Sequence, residues 1–317
     1  MIKWGIIGYG RMGEQYVDCL REKSTLFKLS GISSKSKSKN KSLNFYSSYE
    51  DLLSSNEIDA VYISTLNNTH KDLVILANQN NKKILCEKPL GINFLEVQEL
   101  HSLLKNRKNN FLEAIAYRAH PFVETLFEIL DDHELGSINK IESNFGFRVR
   151  KIKKESRLFN KELGGGSILD LGCYPISFFN LFSQKNDIKI IRSKFELCET
   201  GVDIDGEIFL KIDDKIDAIG KVSLKENLNN ECTIYCENAR ITLPSPWLPS
   251  NKIFIEVETK SRYFKRIITS KKNVYTHLLE ASSLYFLNKD KKMNYLVNID
   301  ESLKISKIID SWKSKGN

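Results

Sequence analysis

Residues 2–13, IKWGIIGYGRMG, decide the fold. The apolar run Ile2–Ile7 predicts a buried strand, and the glycine pattern G-x-G-x-x-G follows it directly, ahead of a helical pattern. Such glycines permit a tight turn and let the backbone approach a pyrophosphate at the N-terminus of the helix. The stretch therefore predicts a dinucleotide site. Its candidate contacts are Gly8, Tyr9, Gly10, Arg11, Met12 and Gly13.

The end of the next predicted strand, Phe27–Ile32, indicates which dinucleotide is preferred. An NAD site usually has an acidic residue about twenty residues beyond the glycine loop, where it accepts a hydrogen bond from the ribose 2′-OH. Ser33, Ser34 and Lys35 stand there instead. Small hydroxyls and a cation suit a 2′-phosphate, so we predict that NADP(H) is favoured over NAD(H). Alternatively, Lys35 only begins a solvated lysine-rich run.

Strands and helices alternate as far as Tyr117, which is typical of a doubly wound parallel sheet. The predicted strands after the second are 59–65, 82–86 and 110–117, and the helices between them are 71–78 and 94–105. Loops at the carboxyl ends of such strands face the cofactor. After the third strand these candidates are Thr65, Leu66, Asn67 and His70, although Asn68 or Thr69 equally suits a helix cap.

LCEKPL, residues 85–90, follows the fourth predicted strand. Lys88 is thereby held near the sheet edge where ligands of open α/β folds bind. We interpret Glu87 and Lys88 as cofactor contacts, and Lys88 also as the link between cofactor and substrate.

Beyond Tyr117, extended segments dominate and several alternate in hydrophobicity, which predicts an open, mostly antiparallel sheet. The predicted fold is thus α/β plus α+β. A Rossmann domain spans residues 1–118, and a substrate-binding domain spans 119–317, with the last helix packing back on the first domain.

The segment 162–175, ELGGGSILDLGCYP, carries a second constellation of polar groups. Asp170 and Tyr174 are four residues apart and share a face if the segment is one helix. A lysine near a tyrosine lowers the phenol pKa and makes a plausible proton relay for reduction of a carbonyl. A buried tyrosine beside a helix-capping glycine run is the alternative.

These motifs together resemble the family of glucose-fructose oxidoreductase, inositol dehydrogenase and rhizopine-catabolism dehydrogenases. The resemblance rests on Gly8–Gly13, on CEKP at 86–89 and on GGGSILDLGCYP at 164–175, and it covers nearly the whole chain. It implies a Rossmann domain, a sheet domain, and Lys88 and Tyr174 as catalytic residues. Tyr174 stands where the inositol dehydrogenase branch has histidine. This tyrosine is similar to the branch with dimeric dihydrodiol dehydrogenase and NADP-dependent xylose dehydrogenase.

The same resemblance implies the residues that contact the substrate. They are Arg118, His120, Arg157, Asn160, Asp170, Tyr174 and Trp247. Trp247 suits a loop tryptophan packed on the sheet equally well. One departure concerns Leu66, where many members have proline, so the cofactor contact of this loop is open.

Composition limits the other classes of function. The formal charge is +8, but the basic residues are interspersed with acidic ones, and the one dense run, 35–41, lies in a predicted loop, so we expect no nucleic-acid site. Six scattered cysteines and the absence of a signal-like leader predict a cytoplasmic enzyme without a metal site. No apolar run is long enough for a membrane span. From the resemblance we expect a homodimer or homotetramer formed through the sheet domain.

The sequence thus predicts an NADP(H)-dependent oxidoreductase that interconverts an alcohol and a carbonyl on a sugar, sugar derivative or polyol. Two alternatives stay open. One is a biosynthetic reductase of a keto-sugar nucleotide, and the other is a non-catalytic dinucleotide-binding sensor or scaffold.

Overall fold

The computed structural model describes residues 1–35, 43–288 and 295–315, and the chain forms two compact units. The first unit comprises Met1–Ala119 and Tyr275–Leu303, and the second comprises His120–Val274 and the chain from Lys304 onward. The sequence analysis places a domain division at residue 118 and expects the last helix to pack back on the first domain. Tyr275–Leu303 returns to the first unit.

In the first unit, the described strands form a parallel sheet of five in the order β2-β1-β3-β4-β5. They are β1 Ile2–Ile7, β2 Phe27–Ser33, β3 Ala60–Ile63, β4 Lys83–Cys86 and β5 Phe111–Glu113. The helices are α1 Arg11–Leu20, α2 Tyr49–Ser54, α3 His70–Gln79 and α4 Phe94–Leu104. Helices on a parallel sheet bury both of its faces, which explains why β3 is apolar and buried throughout. The predicted doubly wound sheet is confirmed.

Two local predictions in this unit were incomplete. The strand expected at 110–117 ends at Glu113, because the Ile115 N–H donates to the Glu113 carbonyl at 2.9 Å and turns the chain into a 3-10 helix at Ala116–Ala119. Helix α2 was not predicted; the Ser48 side chain caps it by accepting from the Asp51 N–H at 3.0 Å.

The second unit is built on a mostly antiparallel sheet, as predicted. Its described strands run in the order β13-β12-β11-β10-β6-β9-β8-β7, and only the β6–β9 pair is parallel. They are β6 Ile138–Gly146, β7 Ile188–Leu197, β8 Asp203–Ile212, β9 Ile216–Ser223, β10 Glu231–Cys236, β11 Ala239–Pro244, β12 Lys252–Thr259 and β13 Tyr263–Thr269. The sequence analysis missed β11.

Helices α5 Phe122–Leu130, α6 Ser167–Leu171 and α7 Cys173–Asn180 belong to this unit. The single helix expected after the glycines is interrupted at Gly172. Pro175 explains the break, because it has no N–H to donate to the carbonyl of Leu171, four residues earlier. Asp170 and Tyr174 therefore lie on two consecutive short helices.

Helices α8 Val274–Phe286 and α9 Ile299–Lys315 end the described chain. Inside the first unit, the Trp4 indole N–H donates to Ser283 Oγ at 3.1 Å, and the Glu113 N–H donates to the Val297 carbonyl at 2.8 Å. These bonds fasten the returning segment to the parallel sheet. Within residues 1–35, 43–288 and 295–315, no helix has the length and apolar character to span a bilayer.

Candidate active site

The glycine loop between β1 and α1 leaves room for a ligand at one position and none at two others. Gly8 has φ +94°, and a Cβ there would lie 2.9 Å from the Ser64 carbonyl oxygen. A Cβ on Gly13 would collide with the Gly8 carbonyl oxygen, whereas one on Gly10 would meet nothing within 4 Å. Gly8 and Gly13 thus serve the turn and the close packing, and Gly10 faces open space. This cradle fits a dinucleotide pyrophosphate.

The end of β2 is hydrogen-bonded to the glycine loop. Ser34 Oγ accepts from the Tyr9 N–H at 3.2 Å, and the Ser33 carbonyl accepts from the Gly8 N–H at 2.9 Å. Ser33 is buried and Lys35 is exposed. The rest of the basic run predicted at 35–41 lies outside the described residues.

The loop after β3 carries the four candidates from Thr65 to His70 in different environments. Leu66 is 45% exposed, whereas Asn67 is buried at the start of a 3-10 helix, Asn67–Thr69. The fully buried His70 ring lies 2.8 Å from the Pro89 carbonyl through Nδ1 and 3.3 Å from the Thr65 carbonyl through Nε2. His70 therefore ties this loop to the EKP segment.

Glu87 is buried directly after β4 and is held by a tyrosine that the sequence analysis did not single out. Tyr62, on β3, donates its phenol O–H to Glu87 Oε1 at 2.5 Å, and the Lys88 N–H donates to Oε2 at 3.3 Å. The Tyr16 ring stacks on Tyr62 at a centroid distance of 3.6 Å. Burial and the Glu87 charge raise the pKa of Tyr62 well above its usual value, so the phenol stays a donor. Lys88 thus follows a carboxylate whose position is fixed from two sides.

A second buried carboxylate, Glu113, lies at the end of β5. Glu113 Oε1 accepts from the Leu90 N–H at 3.0 Å, which fixes the chain just beyond Lys88. Burial, opposed by hydrogen bonds from Ser302 and Leu90, raises the pKa of Glu113 from 4.5 to about 7. This carboxyl therefore changes its protonation near neutral pH.

Arg118 and His120 were expected to contact the substrate, and both are buried in their own units. The Arg118 guanidinium donates to both carboxylate oxygens of Glu301, at 2.7 and 3.2 Å, with 1% of its side chain exposed. His120 Nδ1 accepts from the Phe122 N–H at 3.2 Å, at the start of α5. Their predicted substrate contacts stay predictions.

The glycine run before α6 is explained by Asp203, which lies far away in the sequence. Gly166 has φ +114°, and any Cβ there would collide with the Asp203 carboxylate. That carboxylate accepts from Ser167 Oγ at 2.9 Å and from the Ile168 N–H at 2.6 Å, and so caps α6. No local sequence signal predicts this contact.

Tyr174, on α7, is surrounded by aromatic side chains. The Phe145 ring meets it edge-on at 5.1 Å, and the Trp247 ring lies at 6.5 Å. Trp247 is 1% exposed, and its indole N–H donates to the Asn144 carbonyl at 2.9 Å. Trp247 therefore supports Tyr174 from within the core, in keeping with the packing interpretation. Interlocked rings of this kind fix the orientation of the phenol.

Arg157 and Asn160 approach the same helices from the segment before the glycines. Arg157 Nη1 donates to Asp170 Oδ1 at 2.9 Å; the Arg157 side chain is 46% exposed and that of Asp170 is 6% exposed. The Asn160 carbonyl accepts from the Gly165 N–H at 2.9 Å. The structure thus pairs Arg157 with Asp170 and ties Asn160 to the glycine run, and their predicted substrate contacts stay predictions.

The described part of the chain has no cluster of three or more acidic, histidine or cysteine side chains suited to a metal ion. The candidate site residues comprise a dinucleotide cradle and Lys88 in the first unit, and a phenol and an ion pair in the second.

Family models match both parts of the chain. Residues 2–114 match an oxidoreductase family with an NAD-binding Rossmann fold, and residues 123–242 match the GFO/IDH/MocA C-terminal domain.

Curated relatives agree with these matches. The chain is 32% identical over 274 residues to trans-1,2-dihydrobenzene-1,2-diol dehydrogenase of Xenopus tropicalis, which covers 83% of this chain and 80% of that one. It is 35% identical over 158 residues to D-xylose 1-dehydrogenase (NADP(+)) 2 of Haloferax volcanii, covering 50% of this chain and 48% of that one.

Solved structures share the fold. KijD10, a 3-ketoreductase from Actinomadura kijaniata with NADP and TDP-benzene, superposes with a TM-score of 0.86 at 18% identity, covering 100% of this chain and 98% of that one. The aldose-aldose oxidoreductase from Caulobacter crescentus gives 0.85 at 16% identity, with coverage of 99% and 97%.

Proposed function

The chain belongs to the GFO/IDH/MocA family of oxidoreductases, and from this premise we propose that it interconverts an alcohol and a carbonyl on a sugar, sugar derivative or polyol, with NADP(H) as cofactor. The observation that carries the proposal is the glycine cradle. Gly8 and Gly13 admit no side chain, and Gly10 faces open space at the N-terminus of α1. When bound, the nicotinamide supplies or accepts the hydride.

Three features support NADP(H) within the NAD(P)-binding family. The end of β2 offers Ser33, Ser34 and Lys35 and no carboxylate. The Ser34 hydroxyl already lies beside the glycine loop. The Haloferax relative is named for NADP(+).

The proton steps are assigned to Tyr174 and Lys88. Tyr174 holds a proton on its phenol oxygen and gives it to the substrate oxygen in reduction, or takes it up in oxidation. Its surrounding rings restrict the phenol to one direction. Lys88 orients the substrate hydroxyl and, as a cation, favours the phenolate form of Tyr174.

Further parts of the proposal concern the pocket and the assembly. Arg157, Asn160 and Asp170 shape the substrate pocket, and Arg118, His120 and Trp247 complete it directly or by support. The enzyme acts in the cytoplasm as a homodimer or homotetramer formed through the sheet of the second unit, and the two domains divide near residue 118.

The cofactor assignment is tested by titrating NADPH and NADH into the wild type and two lysine variants. K35Q removes the cation at the end of β2, and K28Q removes an exposed lysine from the same strand as a matched control. We expect K35Q to reduce the preference for NADPH about tenfold, which is the loss of one charged contact to a phosphate. K28Q should leave the preference unchanged. A wild type that binds neither dinucleotide would refute the proposed function.

Turnover is tested with the same protein by following NADPH absorbance across a panel of aldoses, ketoses, polyols and trans-dihydrodiols. Binding of NADPH without turnover across this panel would favour a sensor over an enzyme.

A further inference from the structure

The segment between β6 and the glycine run carries unpaired positive charge. Residues 148–155, RVRKIKKE, hold five cations and one carboxylate, a formal charge of five less one, or +4. All five cations are exposed, and none forms an ion pair with a residue in the described ranges. The cations are Arg148, Arg150, Lys151, Lys153 and Lys154.

Some partly exposed lysines of the same unit lie beside carboxylates. Lys140 lies 2.9 Å from Glu142, and Lys211 lies 2.8 Å from Asp217. Such pairs neutralise the surface of the sheet locally. The segment 148–155 departs from that pattern, so its charge is available to an external anion.

The first end of this segment is fixed beside Tyr174. Phe145, near the end of β6, contacts the Tyr174 ring at 5.1 Å. The chain then continues along β9, because the Phe147 N–H donates to the Ser223 carbonyl at 3.0 Å and the Val149 N–H donates to the Leu224 carbonyl at 2.9 Å. Arg148 and Arg150 therefore lie on a segment that is hydrogen-bonded to the end of β9 and the residue after it.

The other end is fixed beside Asp170. The Ser156 N–H donates to the Lys153 carbonyl at 2.9 Å, so Lys153 and Lys154 lie in a turn that directly precedes Arg157 in the chain. Arg157 pairs with Asp170, and Asp170 precedes Tyr174 by about one helical turn. Both ends of the basic segment are thus anchored to the elements that carry Tyr174.

From this placement we propose that the segment 148–157 binds a phosphate group of the substrate, so that the preferred substrate is a phosphate or diphosphate ester of a sugar or polyol. The inference rests on the proposed function and narrows its substrate class. Arg157 and the turn at Lys153–Ser156 form the inner part of the phosphate site, and Arg148 and Arg150 its outer part. The 2′-phosphate of the cofactor is assigned to Ser33–Lys35 in the other unit, which leaves the substrate as the source of this anion.

The test compares glucose, glucose 6-phosphate and UDP-glucose as substrates with NADP(+). The variant K153Q/K154Q removes two charges from the turn. K252Q/K260Q removes two exposed lysines at the ends of β12 and is the matched control. We expect the wild type to have a higher kcat/KM for a phosphorylated form. K153Q/K154Q should lower the ratio of phosphorylated to unphosphorylated kcat/KM about tenfold, mainly through KM, because it removes charged hydrogen bonds. The control should keep the ratio, and added salt should lower it in the wild type.

Two results would overturn the inference. One is an equal ratio in the wild type and K153Q/K154Q. The other is a loss confined to the preference for NADP(+) over NAD(+), which would assign the segment to the cofactor phosphate.

A binding measurement separates this inference from the proposed function. If no compound of the substrate panel is turned over, the proposed function fails, and calorimetric titration with inorganic pyrophosphate still tests the site. Binding to the wild type and to K252Q/K260Q, with about tenfold weaker binding to K153Q/K154Q, would support the phosphate site. Absence of pyrophosphate binding by the wild type would refute it.

Discussion

Lys88 and Tyr174 are supported in two different ways. Lys88 follows a buried carboxylate, Glu87, which a buried tyrosine holds by a 2.5 Å hydrogen bond. Tyr174 instead packs against aromatic rings that contribute shape rather than charge, and the ion pair on the preceding helix joins a half-exposed Arg157 to a buried Asp170. The first arrangement depends on a buried hydrogen bond, because a buried polar group left without its partner costs free energy. The second arrangement fixes the phenol by packing, so the position of Tyr174 does not depend on the charged side chains around it.

The largest effect is expected from Y174F. The variant keeps the rings in contact with Phe145 and Trp247 but removes the phenol O–H, so kcat should fall by about a hundredfold to ten-thousandfold, the usual contribution of general acid–base catalysis. The affinity for NADPH should not change. The control is Y235F, which removes a phenol that donates to Glu142 on the same sheet, and it should keep full turnover. Retained turnover in Y174F would remove Tyr174 from the chemistry.

The buried carboxyl group of Glu113 should make the free energy of unfolding depend on pH. Its folded pKa is about 7 and its ordinary value is 4.5, so the folded state binds the proton more tightly than the unfolded chain. This stability is fully present below about pH 4.5 and is lost as the pH rises through about 7, a change of about 3 kcal/mol. E113Q cannot ionise and keeps an acceptor for the Leu90 N–H.

Urea unfolding between pH 5 and pH 8 measures this difference. The free energy of unfolding of the wild type should fall relative to that of E113Q over this range. E124Q, on the exposed face of α5, should follow the wild type. Parallel curves for E113Q and the wild type would mean that Glu113 does not titrate in this range.

Substitutions of two buried tryptophans should distinguish an effect on stability from an effect on catalysis. Trp4 and Trp247 are both fully buried, and each donates its indole N–H to a protein oxygen. W4F and W247F should each lower the free energy of unfolding by about 2 kcal/mol, from the lost hydrogen bond and the cavity. Only W247F should also lower kcat, since only that ring contacts Tyr174. Equal kcat in the two variants would show that the aromatic support is not needed.

The smallest effect is expected from Y62F. Loss of the hydrogen bond to buried Glu87 should cost about 1 kcal/mol of unfolding free energy, and kcat should fall modestly because Lys88 is less well held. Y46F removes a partly buried phenol that bonds to Ser55, and it should cost less and leave kcat unchanged. If Y62F and Y46F behave alike, Glu87 does not depend on its tyrosine.

The sequence predicted the elements whose hydrophobic period is clear. Strand β1 begins and ends where the sequence placed it, at Ile2 and Ile7. Strand β5 was made too long because the apolar run continues after the backbone has turned. Strand β11 is short, ends at Pro244 and was overlooked.

The residues of the candidate site also fall into those that the sequence predicted and those that it missed. The motifs gave Gly8, Gly13 and the neighbourhood of Asp170 and Tyr174, because each depends on residues close in sequence. Tyr62 and Asp203 were missed, since their partners Glu87 and Gly166 lie 25 and 37 positions away and nothing local marks them. A tyrosine in an otherwise aliphatic buried strand is the one sign that Tyr62 has a polar partner.

The segment Tyr275–Leu303, which packs on the first unit, affects the order in which that unit folds during synthesis. In the first unit, Ser283 accepts a hydrogen bond from Trp4, and Val297 accepts one from Glu113. Ile299 packs in the same hydrophobic core as Ile7 and Ile63. On the ribosome these partners emerge only after the whole second sheet has been synthesised. The nucleotide-binding half, although encoded first, therefore completes its packing only after residue 299 has been synthesised.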